Sequence, residues 1–249
     1  MKRLLSLAFI LAASLFAATA HAENISVHGS TTFVAAVMDV HKDAIQKDSG
    51  LTLDVVGNGS GNGLTDLAQG KADVAMISSD LASVAAKVNA KTPGTIDVAA
   101  YKPVEIAKTH VAFTVNPSNP VKELKEAQIA DILSGKITNW KEVGGEDKAI
   151  LVATEIPTGG LRTEVEKGLL GGKPISANKR EMVNSPMIAK IVAQMPEALG
   201  VLGAGSVNST IRELKLDKSD IITLYYVTKG DPSPAAKKLI DATLKNADK

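Results

Sequence analysis

Four segments of this sequence set small hydroxyl residues and glycines where a strand would end and a helix begin. They are His28-Gly29-Ser30-Thr31-Thr32, Gly57-Asn58-Gly59-Ser60-Gly61-Asn62-Gly63, Ser78-Ser79-Asp80 and Pro157-Thr158-Gly159-Gly160. Hydroxyls donate hydrogen bonds, glycines admit close backbone approach, and a helix start offers free N–H groups and positive dipole charge. The chemistry this combination suits is non-covalent capture of a small anion. Any one segment is equally well explained as an N-cap or a tight turn. Four of them, at strand ends that converge on one crevice in an open α/β sheet, imply a shared site. Glu155 closes the strand before the fourth segment, where it would repel an anion, and Arg162 follows one step into the helix.

Other chemistries are poorly supplied. His28 could donate to a ligand, but His28, His41 and His110 show no metal-ligand spacing with one another, and there is no cysteine. Glu164 and Glu166 fall on a helix surface by position and make no acid–base dyad. Neither a Gly-x-Ser-x-Gly elbow nor a Ser-His-Asp arrangement occurs. The expectation is a binding protein, not an enzyme, with no cofactor and no metal. Trp140 reads as a packing anchor.

The elements that must position these loops alternate between strand and helix. Strands are expected at 25–27, 51–56 and 72–77. Phe33, Val37, Val40 and Ala44, widened by Val34, Met38 and Ile45, recur at helical spacing, and Leu64, Leu67 and Ala68 mark a shorter helix. A second set comprises strands at 110–115, 149–154, 199–202 and 221–227 and helices at 126–133, 161–170, 187–195 and 235–247. Such alternation implies an α/β fold with mostly parallel sheets flanked by helices.

The bulk properties narrow the setting. Lys2 and Arg3, an apolar run over 4–18 and small residues at Ala20 and Ala22 form a secretory signal, expected to be cut after Ala22 and to deliver the chain to the periplasm. Lys and Arg total 28 against 27 for Asp and Glu, so charge gives no case for a nucleic-acid partner. Aromatics are 3% of the chain, which disfavours sites that stack sugars or bases.

The runs HGSTTFVAAVMDV, GNGSGNGLTDLAQGKADVAMISSD, ADILSGKITNWKEVGG and SPMIAKIVAQMPEALGVLG, in this order, resemble the periplasmic phosphate-binding protein family, the solute-binding components of ABC importers. The resemblance spans nearly all of the chain after the signal. It implies a two-lobed, type II periplasmic-binding-protein-like fold with the ligand cleft between the lobes. The first lobe would be 23–108 with 203–249, and the second 109–202. It implies phosphate or a related small oxyanion as ligand, a membrane permease as partner, and a monomer. Ser30, Thr31 and Thr32 match the first anion loop, Ser60 and Gly61 the second, and Ser78 or Asp80 the third, where some relatives place a carboxylate that accepts a phosphate proton. The fourth element departs. Glu155 falls on the family's arginine, Gly159 on its serine, Gly160 on its glycine and Leu161 on its threonine, leaving Thr158, Gly159, Gly160 and Arg162 as the ligand candidates.

Glu155 at that position has several readings. It could be a solvated residue, it could pair with Arg162 across the turn, Arg162 could reach the anion itself, or the ligand could be neutral or cationic. The alternative function is a binding fold without transport, serving as an extracytoplasmic sensor or adhesion partner with altered specificity.

Overall fold

The computed structural model describes residues 23–218 and 221–247. The expected signal segment, 1–22, lies outside the described residues. The chain opens with β1 (Glu23–Gly29), a helical stretch of α1 (Thr31–Phe33), a π turn (Val34–Met38) and α2 (Asp39–Ser49), then β2 (Leu51–Gly57), α3 (Ser60–Ala68), β3 (Val74–Ile77) and α4 (Leu81–Lys91). The long β4 (Tyr101–Val115), β5 (Glu123–Leu124), α5 (Glu126–Leu133), β6 (Leu151–Glu155), α6 (Gly160–Leu170), β7 (Lys179–Met182) and α7 (Ser185–Gln194) come next. After β8 (Ala198–Gly203), β9 (Arg212–Glu213) and β10 (Lys215–Leu216), the chain ends in β11 (Ile221–Lys229) and α8 (Pro234–Ala247).

One mixed sheet runs β2-β1-β3-β11-β4-β8-β6-β7, with β9 beside β4. β4 belongs to both ends of it. Residues 101–110 pair antiparallel with β11, whereas Val111 to Val115 pair antiparallel with β8. The first lobe is therefore the β2-β1-β3-β11 end with α1 to α4 and α8, and the second is the β8-β6-β7 end with α5 to α7.

Each lobe buries apolar side chains on both faces of its sheet, as helix-covered parallel strands require. In the first lobe, Ile25, Val27, Phe33 and Tyr226 pack with Leu239 on one face, and Leu64, Ile77, Val84 and Val227 on the other. In the second, Phe113, Ile129, Trp140 and Val165 form one cluster, and Ile188, Val192 and Leu202 the other. Leu214 and Ile222 join the Phe113 cluster. Trp140 is buried and donates its Nε1–H to the Glu197 carbonyl at 2.9 Å, the anchor its surroundings led one to expect.

One helical expectation shifts, and one helix, α4, was not expected. Val40, placed by periodicity on the core face, is 66% exposed. The π turn at Val34–Met38 adds a residue to the turn and rotates the remainder of the helix, so the buried face runs Phe33, Val37, Met38, Ile45. α4 carries a legible apolar face of Leu81, Val84, Ala85 and Val88, but its small residues dilute the period. α5 spans the expected residues.

Candidate binding cleft

The loops after β1, β2 and β3 abut, as the strand order requires. Ser30 N–H donates to the Met76 carbonyl at 2.8 Å, and Gly59 N–H to the Gly29 carbonyl at 2.8 Å. Gly29 takes φ +140°, and a Cβ there would lie 2.1 Å from the Met76 carbonyl oxygen, so only glycine permits this approach. Ser30 caps its helix, its Oγ accepting from Phe33 N–H at 3.2 Å. Thr32 Oγ1 is buried with no hydrogen-bond partner. Ser60 Oγ accepts from Ser78 N–H at 3.2 Å and lies 3.4 Å from Ser78 Oγ.

The second lobe closes directly on this wall. A Cβ on Gly160 would stand 2.3 Å from Ser60 Oγ and 2.6 Å from Ser78 Oγ. Gly61 N–H donates to the Thr158 carbonyl at 3.0 Å, and a Cβ on Gly61 would meet Thr158 Cβ at 2.6 Å. Thr31 Oγ1 accepts from Ser185 N–H at 3.1 Å and donates to Ser185 Oγ at 3.3 Å. Ser185 was not among the sequence candidates, yet Asn184-Ser185-Pro186 is a helix start of the same kind, with Asn184 as cap and proline in the first turn.

Of the two third-loop candidates, Ser78 faces Ser60 and Gly160. Asp80 instead caps α4, accepting from Ser83 N–H at 2.9 Å and Ser83 Oγ–H at 2.7 Å, and pairs with Lys167 at 3.0 Å. Burial works to raise its pKa, but these contacts outweigh it and hold the carboxyl below its ordinary value.

Glu155 is not solvated: it is 3% exposed. Its carboxylate turns back onto the start of α6, where Oε2 accepts from Arg162 N–H at 3.4 Å and the Leu161 N–H also points at it. These are the second and third N–H groups of the helix, the pair a capping side chain or bound anion would take. Gly159 makes the fold-back possible, since a Cβ there would fall 2.2 Å from Glu155 Oε2 and 2.6 Å from its Cβ. Burial pushes the Glu155 carboxyl up to about 7, against the pull of the Arg162 and Leu161 N–H groups and the Arg162 charge.

Arg162 is also buried, at 3% exposed, and its guanidinium is held within the second lobe through Nε and Nη1. Nε donates to Glu166 at 2.8 Å; Nη1 donates to the Glu155 carbonyl at 3.0 Å and to Glu181 at 2.7 Å. The pairing of Glu155 with Arg162 across the turn thus runs through backbone groups on each side, with no carboxylate–guanidinium contact.

Glu164 and Glu166, expected on an open helix surface, lie beneath α4. Glu166 is 2% exposed and binds Lys87 and Arg162, while Glu164 accepts from Ser79 Oγ. Burial raises the Glu166 pKa, but the hydrogen bonds from Lys87 and Arg162 prevail and hold it below its ordinary value. With Lys167–Asp80, these make three polar bridges between the lobes. His28 is held by Asp66 at 2.9 Å and Ser26 at 2.9 Å, and His110 by Glu213 at 3.1 Å. Among the described residues no group of three His, Asp or Glu side chains could hold a metal.

The model of the PBP superfamily domain matches residues 16–248. This chain belongs to that superfamily. It is 27% identical over 233 residues to the phosphate-binding protein PstS of Bacillus subtilis, covering 88% of this chain and 74% of that protein. A putative phosphate ABC transporter substrate-binding protein with bound phosphate from Clostridium perfringens superposes with TM-score 0.72 at 26% identity, covering 88% of this chain and 92% of that one. An ABC-type phosphate transport receptor from Vibrio cholerae gives TM-score 0.58 at 28% identity, covering 89% and 93%. The two-lobed α/β architecture is that of this superfamily.

Proposed function

We propose that this protein is the extracytoplasmic solute-binding component of an ABC-type importer and that it holds a tetrahedral oxyanion, phosphate foremost, between its lobes. The observation that carries this reading is the meeting of the buried Ser60 and Ser78 hydroxyls with the Gly160 start of α6, in a chain similar along nearly its whole length to phosphate-transport receptors. Those similarities favour import over a sensor or adhesion role.

In this reading the first lobe supplies Ser30, Thr31, Thr32, Ser60, Gly61 and Ser78, and the second supplies Thr158, Gly159 and Gly160. Thr32 Oγ1 gains a ligand oxygen as its missing partner. Ser78 takes the third-loop role in place of Asp80, and Arg162 positions the α6 turn from behind without touching the ligand. The proposed lobe limits are 23–108 with 203–249, and 109–202, with Leu214 and Ile222 reaching from the first of these sets into the second lobe's core. An anion touching both walls stabilises the closed form, the form a membrane permease would read. The chain is proposed to act as a monomer in the periplasm, without catalysis.

Calorimetric titration of inorganic phosphate into residues 23–249 tests this. Saturable binding that weakens about tenfold or more in Ser60→Ala and in Ser78→Ala is expected, since a hydrogen bond to a charged group contributes about 1.5–3 kcal/mol. Heats indistinguishable from dilution from about pH 6 to about pH 8 would overturn it.

A further inference from the structure

The helix start that the fourth loop offers to a ligand already holds an anion, and that anion is part of the chain. The Glu155 carboxylate accepts the Arg162 N–H, the Leu161 N–H points at it, and Gly159 packs against it. The next residue, Gly160, touches Ser60 and Ser78. An oxyanion held by Ser60, Ser78 and the α6 turn would compete with the carboxylate for the same donors, and to admit it the Gly160 turn must draw back from the two serines.

We infer that the cleft takes an oxyanion at full affinity only when Glu155 is neutral, so that binding is coupled to uptake of one proton by the Glu155 carboxyl and strengthens toward acid pH. This inference rests on the oxyanion-binding reading above. Two like charges sharing one buried set of donors do not both stay ionised. The proton, drawn from solvent, goes to a Glu155 oxygen, which turns from acceptor to donor and can bond the ligand.

The nearby charged groups are for the most part engaged with one another. From α6, the Arg162 guanidinium is engaged by Glu166, Glu181 and the Glu155 carbonyl, and Lys167 is bonded to Asp80. From β7, the neighbouring strand, Glu181 is paired with Arg162, and Lys179 and Arg180 are half-buried and exposed, respectively. From α4 across the lobe boundary, Lys87 is bonded to Glu166. β8 has no ionisable side chain, and α7 contributes Lys190 alone, on its exposed face. The buried carboxyl, raised to about 7, sits where a small further push changes its charge near neutrality. The family's arginine at this position would have no such dependence.

The test is calorimetric titration of inorganic phosphate at about pH 6, 7 and 8 in two buffers of different ionisation enthalpy. Wild type is compared with Glu155→Gln and, as a second neutral variant should the first fold poorly, Glu155→Met. Comparison with the variants cancels the ionisation of phosphate itself. Wild type is expected to take up more protons than either variant, approaching one extra per phosphate at about pH 8. Its affinity should fall relative to theirs by about tenfold per pH unit above 7. Equal proton uptake and parallel pH profiles would overturn the coupling while leaving the binding role intact. Absence of phosphate binding in all three proteins at every pH would overturn the binding role and the coupling with it.

Discussion

On the first lobe's side of the cleft, Ser60 and Ser78 present hydroxyls 3.4 Å apart, and Thr32 Oγ1 has no partner. On the second lobe's side, the Arg162 N–H at the start of α6 is taken by Glu155, and the nearest cation, Arg162, is held by Glu166 and Glu181. Both walls are built from helix starts, so backbone geometry does not separate them. One residue at the end of β6 does. A helix start is a donor set, and whether a ligand can use it depends on whether the chain supplies an acceptor of its own.

The largest effect expected from breaking this contrast is at the base of the second wall. Glu166→Ala removes the acceptor of both Lys87 and the buried Arg162, and unfolding free energy by denaturant titration should drop by about 3–5 kcal/mol, as when one partner of a buried pair is lost. Next is Glu155→Gln. Because the folded pKa of Glu155 lies above its unfolded value, the folded state holds the extra proton between about 4.5 and 7, so wild-type stability declines as pH rises through that window and is level above it. Glu155→Gln should be free of that decline, gaining up to about 3 kcal/mol on wild type at pH 8 relative to pH 4. Glu166, with its pKa lowered, has the opposite sign: its contribution is present above the unfolded value and is lost as pH falls through the depressed one. Melting curves of the three proteins across pH separate the two carboxylates.

A smaller effect sharpens the meeting of the walls. Gly160→Ala places a methyl 2.3 Å from Ser60 Oγ and 2.6 Å from Ser78 Oγ, where the two lobes meet. Overpacking of about 1–3 kcal/mol should then appear as roughly a ten- to hundredfold loss of phosphate affinity, measured by calorimetry. The least effect is at the rim. Lys167→Met removes an exposed bridge to Asp80 and should cost under about 1 kcal/mol, diminishing further in high salt.

Much of this was legible in the sequence. The strand ends, their hydroxyls and glycines and the α5 boundaries are set by period and punctuation, because those are local properties. The first half of β4 was not legible. Its charged residues and Pro103 break the strand pattern, and only its long partner β11 makes it a strand. Val40 escaped because a single π turn changes phase without a sequence mark. The buried state of Glu155 and Glu166 could not be read from position, because the groups that bury them lie elsewhere in the chain: α4 covers Glu166, and the Gly159 turn bends Glu155 onto its own helix. Hydroxyl and glycine patterns show where donors are. They do not show which donors are already in use.

Gly159 carries one more consequence. With Glu155 in place, any side chain at 159 collides with it, at 2.2 Å from Oε2 and 2.6 Å from Cβ. Of the three departures from the family pattern, those at 155 and 159 are therefore linked. Restoring serine at 159 alone should harm the protein, and restoring arginine at 155 alone leaves a turn without its hydroxyl. Glycine at 159 is thus the condition under which a carboxylate at 155 can fold back onto its own helix.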